Sequence, residues 1–466
     1  MDEFSLNVKR DSRLVEEGDI FFDLAGNYED GLKFSKEALS RGAKQVVTER
    51  NYPLSNLEIV KDVREEFGRA CAEEFGYPAK EMKLIGVTGT NGKTTCTHLI
   101  YEILKKLGYR VARVGTMGVH YADVDKNFDM TTPDVDILQR EFFEMRAREI
   151  EWVVMEVSAH AIDQKRIEGL EFEVGVLTNI TQDHLDYFKT MENYAECKLS
   201  FFDKKYLRSA VVNIDDNYAM KIFQNPKVPT IFYGMQNPAD VFAVDVKSAP
   251  NGSEFYCNLF DEVLTFKTKL VGDYNISNVL AALSVCANLG LDMEGVKDAL
   301  KSIGPVDGRF NVFNLSGKSV IIDYAHTPDG LEKVLQTARK VTKNRLFCVF
   351  GCGGNRDTDK RPKMGAIAEK YADYVCLTDD NPRFENERDI IADIEKGMKK
   401  LHLVEVDRAQ AIKKTLELMQ SGDAVVIAGK GAEKYQIIGG KKVDYSDFDV
   451  IRQILRRSSA REEYGN

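Results

Sequence analysis

Leu84-Ile85-Gly86-Val87-Thr88-Gly89-Thr90-Asn91-Gly92-Lys93-Thr94-Thr95 decides the reading of this 466-residue chain. A short apolar run with turn residues behind it predicts a buried strand feeding a glycine-rich loop. The next stretch, Cys96 to Leu104, has helical spacing. Strand, glycine loop, Lys-Thr and helix are the parts of a phosphate-binding P-loop. The glycines let backbone N–H groups approach phosphates, and a helix N-terminus favours negative charge. In such a loop Lys93 sits on the β/γ-phosphates and the Thr94 hydroxyl on Mg²⁺. The strict pattern G-x-x-x-x-G-K-[ST] wants glycine at position 87, where this chain has valine. An ordinary turn with a solvated lysine is the bland alternative. Gly-x-x-Gly-Lys-Thr-Thr between strand and helix has few structural uses, so a nucleotide site is the better reading. The loop alone names no reaction.

Outward from that loop, length predicts two to four domains with real cores. The chain is 43% hydrophobic and 30% charged, ordinary for a soluble globular protein. A net charge of −10 argues against a nucleic-acid coat or an anionic membrane surface. Any anionic substrate must be held by local Lys and Arg clusters. Met1-Asp2-Glu3-Phe4 lacks the basic and apolar regions of a signal peptide, and no apolar stretch approaches a membrane span. The eight scattered cysteines read as reduced core residues, with neither zinc nor disulfides. A cytoplasmic location is expected.

Three α/β units follow from the alternation of apolar strands and helical segments. Residues 1–82 form a small first unit, with strands near Ile20 and Val46. Residues 83–303 hold the P-loop in a doubly wound parallel sheet, with further strands at Ile150–Ser158, Val174–Ile180 and Ala210–Asp215. Residues 304–466 form a Rossmann-like α/β unit with strands at Ser319–Tyr324, Arg345–Phe350, Tyr374–Thr378 and Ala424–Ala428. Ligands in such sheets bind beyond the carboxyl ends of the strands.

Polar groups collect at those ends. Glu156 and Ser158 close one strand, Thr181-Gln182-Asp183-His184 follows another, and Lys198 lies on the helix beyond. Glu156 and His184 suit a second Mg²⁺ or a phosphate, since Mg²⁺ takes few protein ligands beside phosphates and water. A helix-start histidine bonded to backbone is the plain alternative for His184. In the last unit Asp323-Tyr324-Ala325-His326, Gly351-Cys352-Gly353-Gly354-Asn355-Arg356 and Asp379-Asp380-Asn381-Pro382-Arg383 follow successive strands. Three such loops on one sheet predict a binding face, and Arg forks suit carboxylates and phosphates.

These motifs, together with Asp11-Ser12-Arg13, Thr131-Thr132-Pro133, Glu156-Val157-Ser158-Ala159-His160 and Gly272-Asp273-Tyr274-Asn275, resemble in order those of the Mur ligases of bacterial cell-wall synthesis. The nearest likeness is to the members that add an amino acid to UDP-N-acetylmuramoyl-dipeptide. The resemblance implies ATP-driven peptide-bond formation through an acyl phosphate. It implies Mg²⁺ at Thr94, Glu156, His184 and Lys198, the last carboxylated on its amine (N6-carboxylysine), with Lys93, Lys198 and His184 as the catalytic set. An exposed helical lysine is the alternative for Lys198. ATP contacts are implied for Gly89, Thr90, Asn91, Gly92, Lys93, Thr94, Thr95, Asn275, Arg309, Asp323 and His326.

The same resemblance assigns the nucleotide-sugar peptide to Ser12, Thr131, Thr132, Ser158, Gln164 and Arg166. It assigns the incoming amino acid to Arg356, Asn381, Pro382, Arg383, Gly429 and Glu433. Asn-Pro-Arg is similar to the meso-diaminopimelate-adding enzymes: Arg383 can fork onto the distal carboxylate and Glu433 can take the distal ammonium. One departure is visible, because the family's Gly-Lys-Gly-His-Glu stands here as Gly429-Lys430-Gly431-Ala432-Glu433. That leaves L-lysine addition open, and a folylpolyglutamate synthetase-like ligase beside it. From another class, a P-loop NTPase switch needs no amino-acid pocket, so the Arg356 and Arg383 cluster separates the two. A monomer acting on these small molecules, with no nucleic acid and no membrane insertion, is expected.

Overall fold

The Lys83–Thr88 strand has a parallel neighbour on each side, Trp152–Glu156 and Phe172–Leu177. In the computed structural model, which describes residues 7–128, 130–249 and 251–464, it lies inside an eleven-stranded sheet. Val111–Gly115 extends the parallel run beyond Trp152–Glu156. Leu207–Asn213, Thr230–Gly234 and Val241–Ala249 extend it on the other side. Strands covered on both faces need no polar alternates. Leu84, Ile85, Val87, Val153, Val154 and Met155 are accordingly continuous apolar runs, all buried.

Both edges of this sheet depart from the purely parallel arrangement expected. Val241–Ala249, Gly252–Leu259 and Glu262–Thr268 form an antiparallel meander, and Val111–Gly115, Gly118–Tyr121 and Val124–Lys126 form another. Their pattern has period two. Buried Ser253, Phe255, Cys257 and Leu259 alternate with exposed Glu254 and Tyr256. Only one face packs, against a core shared with Val296 and Leu300.

The Lys93–Lys106 helix starts at Gly92, whose φ of 88° would strain any other residue. Leu99, Ile100, Ile103 and Leu104 make one face and are fully buried. Each contributes about 1.5–3 kcal/mol by burial, which pins the loop ahead of them. Lys105 and Lys106 sit at the C-terminal end, where the helix dipole favours cations.

Ahead of the P-loop lies a four-stranded parallel sheet of Val8–Lys9, Ile20–Phe22, Gln45–Thr48 and Leu57–Ile59, with helices Tyr28–Ser40 and Val63–Glu74. After it comes a six-stranded sheet ordered Asn311–Leu315, Lys318–Asp323, Ala424–Ala428, Leu346–Phe350, Tyr374–Leu377, Leu403–Val404. All but the first run parallel. A hairpin, Tyr435–Ile438 with Lys441–Asp444, stands beside it. The carboxyl ends of the central and last sheets meet. Asn91 Nδ2 donates to Asp329 at 2.9 Å and Gln182 Nε2 to Asp357 at 3.0 Å. All eight cysteines are free, and among the described residues no helix is long and apolar enough to cross a membrane.

Candidate active site

The phosphate loop is pressed onto its neighbours. Gly89 has φ 146°, and a Cβ there would lie 1.9 Å from Thr178 Oγ1. One on Gly92 would lie 2.4 Å from Asn278 Oδ1. Thr90 N donates to Asn179 O at 2.7 Å, Asn91 N to Asn179 Oδ1 at 2.9 Å, and Thr178 Oγ1 to Asn91 O at 2.6 Å. Lys93 Nζ folds back onto Gly89 O and Thr90 O, at 2.9 and 3.0 Å. Burial pushes its amine below the usual lysine range, against the pull of Glu156 and Asp183. Thr94 Oγ1 accepts from Arg309 at 3.2 Å, and Thr95 is buried behind it. The Arg309 guanidinium lies 4.3 Å from the centre of the Tyr324 ring, so this cation reaches the loop from the last unit.

Lys198 is not an exposed helical lysine. It is 1% exposed, donates to Gly89 O at 2.8 Å and lies 4.8 Å over the Tyr194 ring. Burial first, then the like charge of Lys93, holds its amine well below the ordinary value. Glu156 is buried on the strand beside the loop. Its carboxylate accepts from Thr116 N at 2.9 Å and Thr116 Oγ1 at 3.2 Å.

His184 starts the short helix Leu185–Phe188 with φ 55°, and its ring lies against His160, centroids 4.8 Å apart. Burial, aided by His160, Lys198 and His326, lowers its pKa to about 3, with Asp183 opposing. Asp183 lies 3.3 Å from His184 Nε2, 3.7 Å from His326 Nε2 and 3.7 Å from Lys360 Nζ. Burial raises its pKa, but Lys360 and the two imidazoles outweigh that and hold it well below the carboxylate range. Among the described residues no three His, Cys, Asp or Glu side chains cluster to cage a metal. Thr94 in the first turn of its helix, Glu156 at its strand end and His184 ahead of its short helix bring one donor each, in keeping with the few protein ligands that Mg²⁺ takes beside phosphate and water.

Asn275, on the helix Asp273–Asn288, donates to Val271 O at 2.9 Å and accepts from Asn278 at 3.3 Å. That packs it behind Gly92 through Asn278. Asp323 is a brace: its carboxylate accepts Phe310 N at 2.8 Å and Ala325 N at 2.7 Å, fixing the turns that carry Arg309 and His326.

A groove of about 990 Å³ on the first unit is lined by Lys9, Arg10, Asp11, Ser12, Arg13 and Lys33 among others. Ser12 is buried and donates to Glu37 at 2.8 Å. A chain of contacts leads from it to the central loops. Arg10 NH1 lies 2.6 Å from Asp134, whose other oxygen is 2.9 Å from Arg166 Nε. Arg166 NH1 donates to Thr132 O and NH2 to Gln164 Oε1, at 2.9 and 2.7 Å. Thr132 Oγ1 donates to Glu156 O at 2.9 Å and accepts Ser158 N at 3.0 Å. Thr131 Oγ1 lies 3.1 Å from Thr116 Oγ1.

A cleft of about 190 Å³ brings Asp183, His184 and Asp186 of the central unit against His326, Arg356, Lys360, Asn381, Arg383, Gly429 and Glu433 of the last. Glu433 Oε2 accepts Lys430 Nζ at 2.9 Å and Asn381 Nδ2 at 3.1 Å. Ala432 brings no side-chain donor here, and Glu433 is anchored by Lys430 and Asn381 instead. Arg383 NH1 donates to Gly354 O at 2.9 Å. Burial, then the like charge of Arg356, lowers its pKa. Pro382 serves the loop turn, its carbonyl accepting Glu385 N at 3.0 Å. Asp183, Lys360 and Lys430 stand in the sequence only as members of their motifs, and Arg10 and Asp134 stand in none; the fold alone sets their partners.

The Mur ligase middle domain family matches residues 87–286, and the Mur ligase, glutamate ligase domain family residues 308–431. The UDP-N-acetylmuramoyl-L-alanyl-D-glutamate–2,6-diaminopimelate ligase of Syntrophomonas wolfei is 39% identical over 96% of this chain and 94% of its own. The protein of the same name from Aquifex aeolicus is 41% identical over 96% of this chain and 93% of its own. A solved structure of a ligase with that name superposes with a TM-score of 0.71 at 33% identity, covering 97% of this chain and 95% of that one.

Proposed function

The chain belongs to the Mur ligase family, and we propose that it adds meso-2,6-diaminopimelate to UDP-N-acetylmuramoyl-L-alanyl-D-glutamate. It is an ATP-dependent amino-acid ligase of peptidoglycan synthesis. We read residues 1–82 as the nucleotide-sugar unit, 83–303 as the ATP unit and 304–466 as the amino-acid unit. The observation that carries this reading is the cleft in which Asp183 and His184 face Arg356, Arg383 and Glu433. A switch NTPase has no use for that pocket.

In the proposed reaction the ATP γ-phosphoryl group passes to the substrate carboxylate, giving ADP and an acyl phosphate. The incoming amine attacks the acyl carbon, the new C–N bond forms, and the C–O bond to phosphate breaks. The amine sheds its proton and phosphate leaves. Phosphoryl transfer needs alignment and charge neutralisation more than covalent help. Lys93 and Arg309 supply cations on the phosphate side. Magnesium, held by Thr94, Glu156, His184 and carboxylated Lys198, would neutralise the transferring group. His184 is suited to that role because an imidazole with a pKa of about 3 is neutral at working pH. Lys198 is suited to carboxylation because only a neutral amine adds CO₂, losing one proton to become a carbamate.

For the amino acid, Arg383 and Arg356 suit the distal carboxylate and Glu433 the distal ammonium. L-Lysine has the ammonium alone. The test is ATP-dependent phosphate release with UDP-N-acetylmuramoyl-dipeptide, comparing meso-diaminopimelate with L-lysine. Turnover with diaminopimelate and not lysine is expected. Lysine turnover overturns the pocket assignment, and release with neither overturns the substrate.

A further inference from the structure

Among the described residues the two largest fully buried side chains are arginines, Arg361 and Arg408, and neither lines the cleft. Arg361 lies under the floor of the amino-acid pocket, on the helix Lys360–Tyr371. Its NH1 donates to Asp393 at 2.9 Å. Its NH2 donates to Gly353 O at 3.2 Å and reaches Glu385, 2.9 Å to Oε2 and 3.0 Å to Oε1. Glu385 in turn accepts the Asn355 amide, and Asn355 Oδ1 accepts Phe384 N at 3.1 Å. Arg361 therefore staples three segments: the glycine loop that carries Arg356, the loop that carries Arg383, and the helix Glu387–Glu395.

That staple has a specific job because the two loops carry like charges. Arg356 and Arg383 both line the pocket and both approach Gly353, and after burial the like charge of Arg356 is the next cause that lowers the pKa of Arg383. Left alone, the loops would part to separate the guanidiniums. Packing already forces them close. A Cβ on Gly354 would lie 1.9 Å from Pro382 O, and one on Gly353 would lie 2.9 Å from Arg383 NH1. Gly354 N donates to Asn381 O at 2.9 Å. Arg383 and Asn355 both hold positive φ, 54° and 51°, so each loop is bent at the residue that matters. Glu385 and Asp393 supply the negative charge that lets a third guanidinium sit beneath the pair.

We infer that Arg361 is the positioning residue that sets the Arg356–Arg383 spacing, and so the pocket's preference for an amino acid with a second carboxylate. The inference rests on the functional reading above. A carboxylate has a fixed bite, and a fork held at the wrong separation binds it no better than a single cation does. L-Lysine offers no distal carboxylate and is insensitive to that spacing.

The test uses the full-length enzyme and the phosphate-release assay with Arg361→Lys and Glu385→Gln. Lysine keeps one cation but has a single nitrogen where Arg361 uses two, NH1 on Asp393 and NH2 on Gly353 O and Glu385. Glutamine keeps the shape and weakens the link without burying a new charge, so it stands if the lysine variant fails to fold. KM for meso-diaminopimelate is expected to rise about tenfold or more. KM values for ATP and UDP-N-acetylmuramoyl-dipeptide stay put, and the preference over L-lysine shrinks. A uniform rise in all three KM values, or a fall in kcat alone, overturns the inference and leaves Arg361 a scaffold residue. If the unaltered enzyme turns over neither amino acid, the functional reading falls first and the inference with it.

Discussion

Replacing Arg408 by methionine tests how much of the last unit hangs on one ion pair. Arg408 and Asp447 are both 0% exposed. Nε donates to Asp447 Oδ1 at 2.9 Å and NH2 to Oδ2 at 2.8 Å. NH1 also reaches Asp379 O at 3.3 Å, and NH2 reaches Ala428 O at 2.9 Å. Methionine fills much of the space but leaves Asp447 buried with the Tyr445 hydroxyl, which donates at 2.9 Å. Breaking a buried pair from one side costs about 3–5 kcal/mol, since a charge is stranded out of water. A typical domain has about 5–15 kcal/mol in all. Native-state hydrogen exchange of the Ala424–Ala428 amides is the assay, because it reads one unit of a multi-unit chain. Protection should fall by about a hundredfold to a few thousandfold in Arg408→Met. In Arg408→Met with Asp447→Leu no lone charge remains, so most of the protection should return. A loss below about fivefold in the single variant, or simple additivity in the double, refutes the reasoning. Because Asp379 and Ala428 immediately precede Asp380-Asn381 and Gly429, the single variant should also raise KM for the amino acid.

Other outcomes follow from the same geometry. Gly89→Ala must place a methyl 1.9 Å from Thr178 Oγ1 at φ 146°, so nucleotide affinity, read by titration with a fluorescent ATP analogue, should fall at least about tenfold. Lys198→Arg should lose turnover as fully as Lys198→Ala while still binding ATP, because a guanidinium cannot take up CO₂; retained turnover in the arginine variant would refute carboxylation. His184 has a folded pKa of about 3 against about 6.5 unfolded. Between those values the unfolded chain binds a proton that the folded one refuses, so stability drops as pH falls. Asp379, raised to about 7 first by burial and then by Asp380, works in the opposite direction: the folded state holds the extra proton, and stability rises as pH falls from 7. In metal-free buffer, urea midpoints from pH 7.5 to 5 should therefore fall less steeply in His184→Asn than in the unaltered protein, and more steeply in Asp379→Asn.

Much of this protein was legible in its sequence because strand, turn and helix signals are local. The run Leu84–Thr95 announced a buried strand, a glycine loop and a helix, and the structure has Lys83–Thr88 followed by Lys93–Lys106. The edge meanders are harder to see: Gly252–Leu259 alternates buried and exposed residues, a period of two masked by the apolar runs of the parallel strands around it. The site divides in the same way. Gly89, Lys93 and Thr94 follow from a motif with a physical mechanism, since phosphate binding needs those residues at that spacing. Lys198 had two readings on its helix, exposed or buried, and only the Tyr194 ring and Gly89 carbonyl above it chose between them.

By itself, then, the sequence determined the strand, glycine turn and helix around Gly89 and the ligase family, each carried by motifs of a few adjacent residues. Tertiary structure decided which charges meet. Asp183 finds Lys360 and His326 from another unit, and Arg361 gathers Gly353, Glu385 and Asp393. Those partners lie up to 177 positions apart in the sequence, at 183 and 360. Coulomb interactions and burial depend on distance in space and on the dielectric around each group, and neither quantity exists until the sheets have packed.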